Sequence, residues 1–542
     1  MANTLGNLKL ALKRLAGIAM ALFVLLAVLL SVLDAQEPTE TQEQLPRYAT
    51  WRFGEFGEAV ESGDGVYRIS YSPDGRYLAA RSKNNVVAVY DLKTRSAICE
   101  VEGHENRIAS IDFSPDGEFF VTASGAGEKI KIWKTQTGGL QSEIESGGGA
   151  AYFDRSGKQI NVLGETHVQL YSWPGVQLTG QRKWKGSNET ARAMSSDGRF
   201  VVAFRSLNKQ FYETLMIDTE SKSKVPLAGA TAVPRTVRVS PDNQWIVASY
   251  NRDPKIRLWA TADPKNGRYT LNGHTETVQS LSFSPDNRFL VSSGWDQTVI
   301  AWDLLTRQKI RKLEGHQAHV NATAWAPLSF SFASGASGIK DCSLITWDID
   351  EILFPAHNKP DLDSELSVAQ QFDPIWKSLG ASSLRLSMRA TSKLAAGGDY
   401  FLDSLEKKIR GTISVDRSAS TENYIKQLDD PDYEVRQKAT EALLKIVNEI
   451  EAKLREQLKQ TSSPEVKYRI SSILKQDPPR APSDVVVTRR WSRIVLALEK
   501  IHTERSQAML KAISLGHRDS EIASDASESF HRNNVRQQML EK

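Results

Sequence analysis

One stretch constrains this chain more than any other. Residues 273–303 read GHTETVQSLSFSPDNRFLVSSGWDQTVIAWD. Leu281 and Phe283 alternate with serines, and Ser284-Pro285-Asp286-Asn287 turns the chain. Phe289-Leu290-Val291 begins a second strand, Gly294-Trp295-Asp296-Gln297 turns it again, and Val299-Ile300-Ala301-Trp302 is a third. A period of two, broken by turns rich in Pro, Gly, Asn and Asp, predicts short antiparallel strands. The first turn recurs as Ser72-Pro73-Asp74-Gly75, Ser114-Pro115-Asp116-Gly117, Asp154-Arg155-Ser156-Gly157, Ser195-Ser196-Asp197-Gly198, Ser240-Pro241-Asp242-Asn243 and, worn down, Ala326-Pro327-Leu328-Ser329. Successive copies lie 40 to 45 residues apart, the period of a four-stranded repeat. The third strands end in step, from Tyr90-Asp91 and Trp133-Lys134 to Trp302-Asp303 and Trp347-Asp348. Seven turns and seven endings predict seven such units.

The Gly-His opening, the Trp-Asp close and the spacing resemble WD40 repeats. That resemblance implies an all-β, seven-bladed propeller over residues 49–351. The seventh repeat has no fourth strand after Asp348, while Ala49-Thr50-Trp51-Arg52-Phe53 forms an orphan strand ahead of the first. In WD40 propellers such a strand completes the last blade and removes its open edge. The family also carries a buried network of His, Asp, Ser or Thr, and the strand Trp. Here it implies His274, Ser292 or Ser293, Asp296 and Trp302 in the sixth blade. In the seventh it implies His316, Asp341 and Trp347, with Ser337 as fourth member. The second repeat keeps His104 and Trp133 but has Gly127 where Asp belongs; the third and fourth have lost nearly all of the set and should be looser. A His–Asp pair beside a Ser has the composition of a hydrolase triad. Its recurrence at structural spacing assigns it instead to satisfying buried polar groups.

Partners of WD40 rings usually dock on the face carrying the fourth-to-first and second-to-third strand loops. The residues before the network Asp point there, which makes Trp295 and Lys340 candidate contacts. A Trp in a hydrophilic turn is a plausible binding anchor; the alternative is that it folds onto the neighbouring blade. Arg252 and Lys255 add two loop bases.

Ahead of the repeats, residues 15–33 form an uncharged apolar run, LAGIAMALFVLLAVLLSVL. Nineteen helical residues span about 30 Å, the thickness of a bilayer's hydrocarbon core. Lys9, Lys13 and Arg14 precede the run and acids follow it, so residues beyond 34 are expected outside the cytoplasmic membrane. Residues 1–35 read as a signal-anchor, with a cleaved signal peptide and a secreted or periplasmic product as the alternative; residues 36–48 read as an acidic spacer.

After a linker at 352–367 the period changes to 3.6. Asp373-Pro374 is read as opening a helix, and Leu384, Met388, Thr391 and Ala395 share the next apolar face. Asp430-Pro431 precedes Glu434-Val435-Arg436, and the pattern returns as Ser463-Pro464-Glu465-Val466-Lys467. These openings resemble HEAT-type helical pairs, placed at 368–535 and followed by a polar tail at 536–542. The resemblance implies neighbours stacked in sequence, with Arg436, Lys438 and Lys445 as candidate groove bases. The whole order also resembles planctomycete proteins in which WD40 blades precede a HEAT-like tail.

Little in the chain points to chemistry. Sixty-nine basic and 65 acidic residues nearly cancel, and no basic run stands out, so no nucleic-acid partner is expected. No phosphate loop, His-Glu-x-x-His or Cys-x-x-Cys is present. Cys99 and Cys342 read as small buried residues, their pairing left open. The sequence therefore predicts no cofactor, no metal and no catalytic residues. It favours a non-catalytic scaffold for protein partners, held to the membrane by its N-terminal helix. A propeller-based enzyme or enzyme subunit, marked by ionisable residues converging on the channel mouth, and a structural envelope protein are the alternatives.

Overall fold

The computed structural model describes residues 49–53, 65–354, 366–409, 418–444, 454–475 and 485–540, apart from scattered positions at 83, 126, 146–148, 155, 187, 209–210, 339–340, 455–456, 459, 462 and 518–519. Seven four-stranded antiparallel sheets follow one another around a ring. Blade I comprises Arg68–Tyr71, Tyr77–Arg81, Val87–Asp91 and Ser96–Val101. Blades II to VI repeat that order from Ile108, Ala150, Glu189, Pro234 and Val278. Blade VII takes His319–Trp325, Ser331–Ser337 and Leu344–Asp348 from the chain's end and Ala49–Phe53 from its start. Phe53 lies opposite Leu344 and Arg52 opposite Ile345 in that closing pair. The ring is thus shut by main-chain hydrogen bonds, and blade VII has no exposed third strand.

The recurring turn shows why the spacing is so regular. Gly75 and Gly117 sit at φ of 73° and 71°, and Asn243 and Asn287 at 62° and 57°, the left-handed region that Gly and Asn adopt most readily. In the five turns that open with Ser, its hydroxyl accepts a hydrogen bond from the start of the second strand: Tyr77 N donates to Ser72 Oγ at 2.8 Å and Phe289 N to Ser284 Oγ at 2.9 Å. Between blades, Ala151 N donates to Ser110 Oγ, and Thr323 N and Trp325 N to Ser280 and Ser282. The sheets also bury apolar layers against one another, with Trp259, Trp302 and Trp347 wholly enclosed.

The C-terminal part is helical: α1 Asp350–Leu353, α2 Val368–Leu379, α3 Leu384–Ala396, a 3-10 turn Gly398–Phe401 running into α4 Leu402–Ile409, α5 Ser418–Gln427, α6 Tyr433–Leu444, α7 Pro464–Lys475, α8 Val485–Ile501, α9 Glu504–Gly516 and α10 Ser520–Leu540. Three readings change here. α2 begins at Val368, with Pro374 in its interior, because Ser367 and Gln370 form a reciprocal capping box six residues upstream of the expected start. The residues read as a polar tail extend α10 to Leu540. Finally, α8 packs on α3 and on α10, building one core from Phe372, Leu394, Leu405, Leu498 and Leu510. Helices about a hundred residues apart therefore share a core, which goes beyond the stacking of sequence neighbours. α5, α6 and α7 keep a core of their own around Leu428, Leu443 and Ile470.

The helical part docks on the propeller at blades VI and VII. Leu384, Met388 and Leu496 enter the same cluster as Phe289, Phe332 and Trp347, each contributing about 1.5–3 kcal/mol of burial. An exchange of ionic partners accompanies this packing. In blades I and IV the Arg after the turn pairs with the Asp closing the third strand: Arg76 with Asp91 at 2.9 Å and Arg199 with Asp218 at 3.1 Å. In blade VI, Asp303 is held instead by Arg493 of α8 at 2.7 Å, both fully buried. Arg288, freed from that role, faces Asp286 and Glu499 of α8. All these groups lie on the face of the first-to-second and third-to-fourth strand turns, so the helices dock on that face.

The expected membrane segment, 15–33, falls outside the described residues. Among the described residues, no helix is long and apolar enough to cross a membrane.

Candidate functional site

The predicted polar networks come first. His274 reaches Asp296 through Nδ1 at 2.9 Å and Ser292 through Nε2 at 2.7 Å, and Trp302 Nε1 donates to the same Ser292 hydroxyl at 2.8 Å. A carboxylate can only accept, so Nδ1 carries the proton towards Asp296. Burial would raise the Asp296 pKa, but hydrogen bonds from His274, Thr275 and Thr298 hold it at about 2. In blade VII, His316 bridges Asp341 at 3.0 Å and Ser334 at 2.7 Å, with Trp347 Nε1 on Ser334 at 2.7 Å. Ser334, not Ser337, is therefore the fourth member. Ser334 lies on the second strand directly opposite Ile345, whereas Ser337 at the strand end takes a hydrogen bond from Asn321.

Blade II has a network the sequence reading missed. Glu128 replaces the absent Asp from one position further on, its longer side chain reaching His104 Nδ1 at 2.8 Å, while Thr122 bridges His104 and Trp133. Blades III and V satisfy a Trp by backbone alone: Trp184 Nε1 donates to Gly164 O, and Trp259 Nε1 to Ala228 O. These arrangements hold blades together. Each His is already committed on both nitrogens.

Trp295 takes the alternative course. Its ring stacks on His319 of blade VII at 5.3 Å, with the Arg235 guanidinium of blade V 6.0 Å from the ring centre. Lys340 falls outside the described residues, as does Lys445. Arg252 is exposed on its loop. Arg436 is engaged by Glu465 and by the carbonyls of Asp430 and Pro431. The cysteines are unpaired and half-buried. Each thiol donates to a backbone carbonyl, Cys99 to Thr135 and Cys342 to Gly338, and burial pushes the Cys99 thiol up to about 11.

What the sequence reading did not find lies on the ring axis. The innermost strands enclose a cavity of about 880 Å³ that opens among second-to-third strand loops (Asn85, Glu165, Asn251) and fourth-to-first loops (Arg107, Lys185). Six arginines line it: Arg68, Arg81, Arg107, Arg192, Arg235 and Arg238. Its two carboxylates are already taken, Glu165 by Lys185 at 3.1 Å and Glu189 by Lys224 at 2.8 Å. Among the described residues, none of the six arginines has a carboxylate partner. Arg235 donates to Gln279 at 2.8 Å and Arg238 to the Val237 carbonyl, while Arg81 lies over the Tyr67 ring. Arg68 Nε, and Nε and Nη2 of Arg81, are buried without any partner. Desolvation and the like charges of Arg238, Arg81 and Arg107 depress Arg68 to about 9. Desolvation and Arg107 depress Arg81 to about 10. Arg192 and Arg235 are lowered by desolvation and by neighbouring guanidiniums as well.

Ionisable residues therefore do converge on the channel mouth, which the sequence alone did not show. The arginines are spread over residues 68–238, so no basic run announces them. A signal exists nonetheless: Arg68, Arg107, Arg192, Arg235 and Arg238 each fall within seven residues before a recurring turn, which places them on or beside an innermost strand.

Five stretches, residues 58–91, 95–134, 224–260, 266–303 and 307–348, match the family model described as WD domain, G-beta repeat. The matched blades are WD40 repeats. They are blades I, II, V, VI and VII; the WD40 model passes over 135–223, which includes all of blade III and the inner strands of blade IV. Among curated proteins, the chain is similar to a WD repeat-containing protein 26 homolog of Arabidopsis thaliana, 27% identical over 307 residues, covering 53% of this chain and 49% of that protein. A WD repeat-containing protein WDS homolog of the same plant is 21% identical over 286 residues, 50% and 53% of the two chains. The nuclear distribution protein PAC1 of Arthroderma benhamiae is 21% identical over 350 residues, 57% and 75%. The chain spans about half the length of the first two.

Proposed function

We propose that this protein is a non-catalytic scaffold that binds protein partners on the open face of its WD40 ring. The observation that carries the reading is the unequal use of the two faces. The helical part docks on the turn face of blades VI and VII through Arg493–Asp303 and the Glu499 cluster. The opposite face is where the cavity opens, and it holds unpaired guanidiniums. A preformed rigid surface loses little order on association. The converging groups suit binding better than catalysis, since guanidiniums bind anions and do not exchange protons near neutral pH. In this reading the α5–α7 cluster is a HEAT-like unit offering a second surface, as in proteins that join WD40 blades to such a tail. Residues 15–33 hold the assembly outside the cytoplasmic membrane.

A photo-crosslinking amino acid at Arg252 on the open face, with one at the exposed outer-strand residue Leu178 as control, tests the scaffold. Discrete protein adducts from position 252 and none from 178 are expected in cells. No adducts from 252, or the same set from both positions, would overturn it.

A further inference from the structure

We propose that the axial cavity is a binding site for a small multivalent oxyanion, a compound carrying several phosphate or carboxylate groups. The first argument is charge. Six guanidiniums from blades I, II, IV and V converge on one space, and among the described residues its two carboxylates, Glu165 and Glu189, are already paired with lysines. Arg76 and Arg199 of this same propeller are each paired with an Asp, and the axial set lacks that compensation among the described residues.

The second argument is desolvation. Arg81 is only 2% exposed, yet two of its nitrogens have no partner. A buried unpaired charge is strongly destabilising, and the mutual repulsion recorded in the lowered pKa values of Arg68 and Arg81 adds to that. An anion placed between them relieves both costs at once. The guanidinium fork matches phosphate and carboxylate oxygens in pairs. The volume, about 880 Å³, lies within the range of about 300–1,000 Å³ usual for small-molecule sites. A single monovalent ion would leave most of the ring uncompensated, so several charges on one compound are required.

The test is calorimetric titration of the full-length protein in detergent with inorganic tripolyphosphate and, separately, with citrate. Saturable one-to-one binding of at least one probe is expected, and which probe binds tells phosphate from carboxylate. Affinity should fall steeply as salt rises from about 50 to about 500 mM, because the contacts are ionic. Arg68→Gln with Arg81→Gln should weaken binding about tenfold or more. Because Arg81 is buried and its loss risks misfolding, Arg107→Gln with Arg192→Gln, both exposed, should also weaken it, while Arg252→Gln outside the cavity should not. Binding of neither probe, or binding undiminished in both double variants, would overturn the proposal. It stands apart from the scaffold reading: tripolyphosphate binding without open-face adducts keeps one and removes the other, and the reverse holds too.

Discussion

Replacing Glu499 by Gln tests how the helices are fixed to the propeller. Glu499 is fully buried on α8 and meets Arg532 at 3.0 and 2.9 Å, Arg536 at 3.2 Å and Arg288 of blade VI at 3.7 Å. Burial alone would raise its pKa, yet Arg532, Arg288 and Arg536 hold it at about 2 against an ordinary 4.5. At about 1.4 kcal/mol per pH unit, that difference corresponds to about 3 kcal/mol. Breaking a buried pair from one side costs about 3–5 kcal/mol by general experience, so the two routes agree. The pH dependence follows from the sign. A depressed folded pKa contributes stability that is complete above pH 4.5 and is lost as pH falls towards 2. In urea denaturation of the full chain, followed by circular dichroism at 222 nm, Glu499→Gln should lower stability by about 3 kcal/mol at pH 7. The gap should close progressively below about pH 4.5. A gap under about 1 kcal/mol at pH 7, or one that persists unchanged near pH 2, would refute the reasoning.

Two further outcomes are expected. Ser334→Ala should cost about 2 kcal/mol or more, since the buried Trp347 N–H and His316 Nε2 both lose their partner; Ser337→Ala should cost about half that or less, and equal costs in chemical denaturation would restore Ser337 to the network. For the N-terminal segment, membrane fractionation with mass determination should find a chain that retains Met1 or Ala2 and resists carbonate extraction. A soluble chain beginning near Gln36 would remove the anchor.

The blade count was legible because it depends on local chemistry. A Ser-Pro-Asp-Gly turn needs only its own residues to fix φ and to cap the next strand, so every copy can be read in the chain. The ring closure was legible too, since an orphan strand and a missing strand add up to one sheet. The sixth-blade network could be drawn because its spacing is dictated by strand length. Ser334 and Glu128 could not be drawn, because register and side-chain reach decide which hydroxyl or carboxylate meets the His. Pro374 misplaced a helix start that the Ser367–Gln370 box marked more reliably.

The sequence by itself determined the repeats, their number and the change to helices after residue 367, all of which follow from periodicities within a few tens of residues. Only the tertiary structure decided that Arg493 would take Asp303 from its usual partner, that α8 would join α3, and that six arginines would meet on one axis. Each of these joins residues separated by tens to hundreds of positions. Closing the ring brings the innermost strands together, and the low dielectric there turns scattered, unremarked arginines into one concentrated charge.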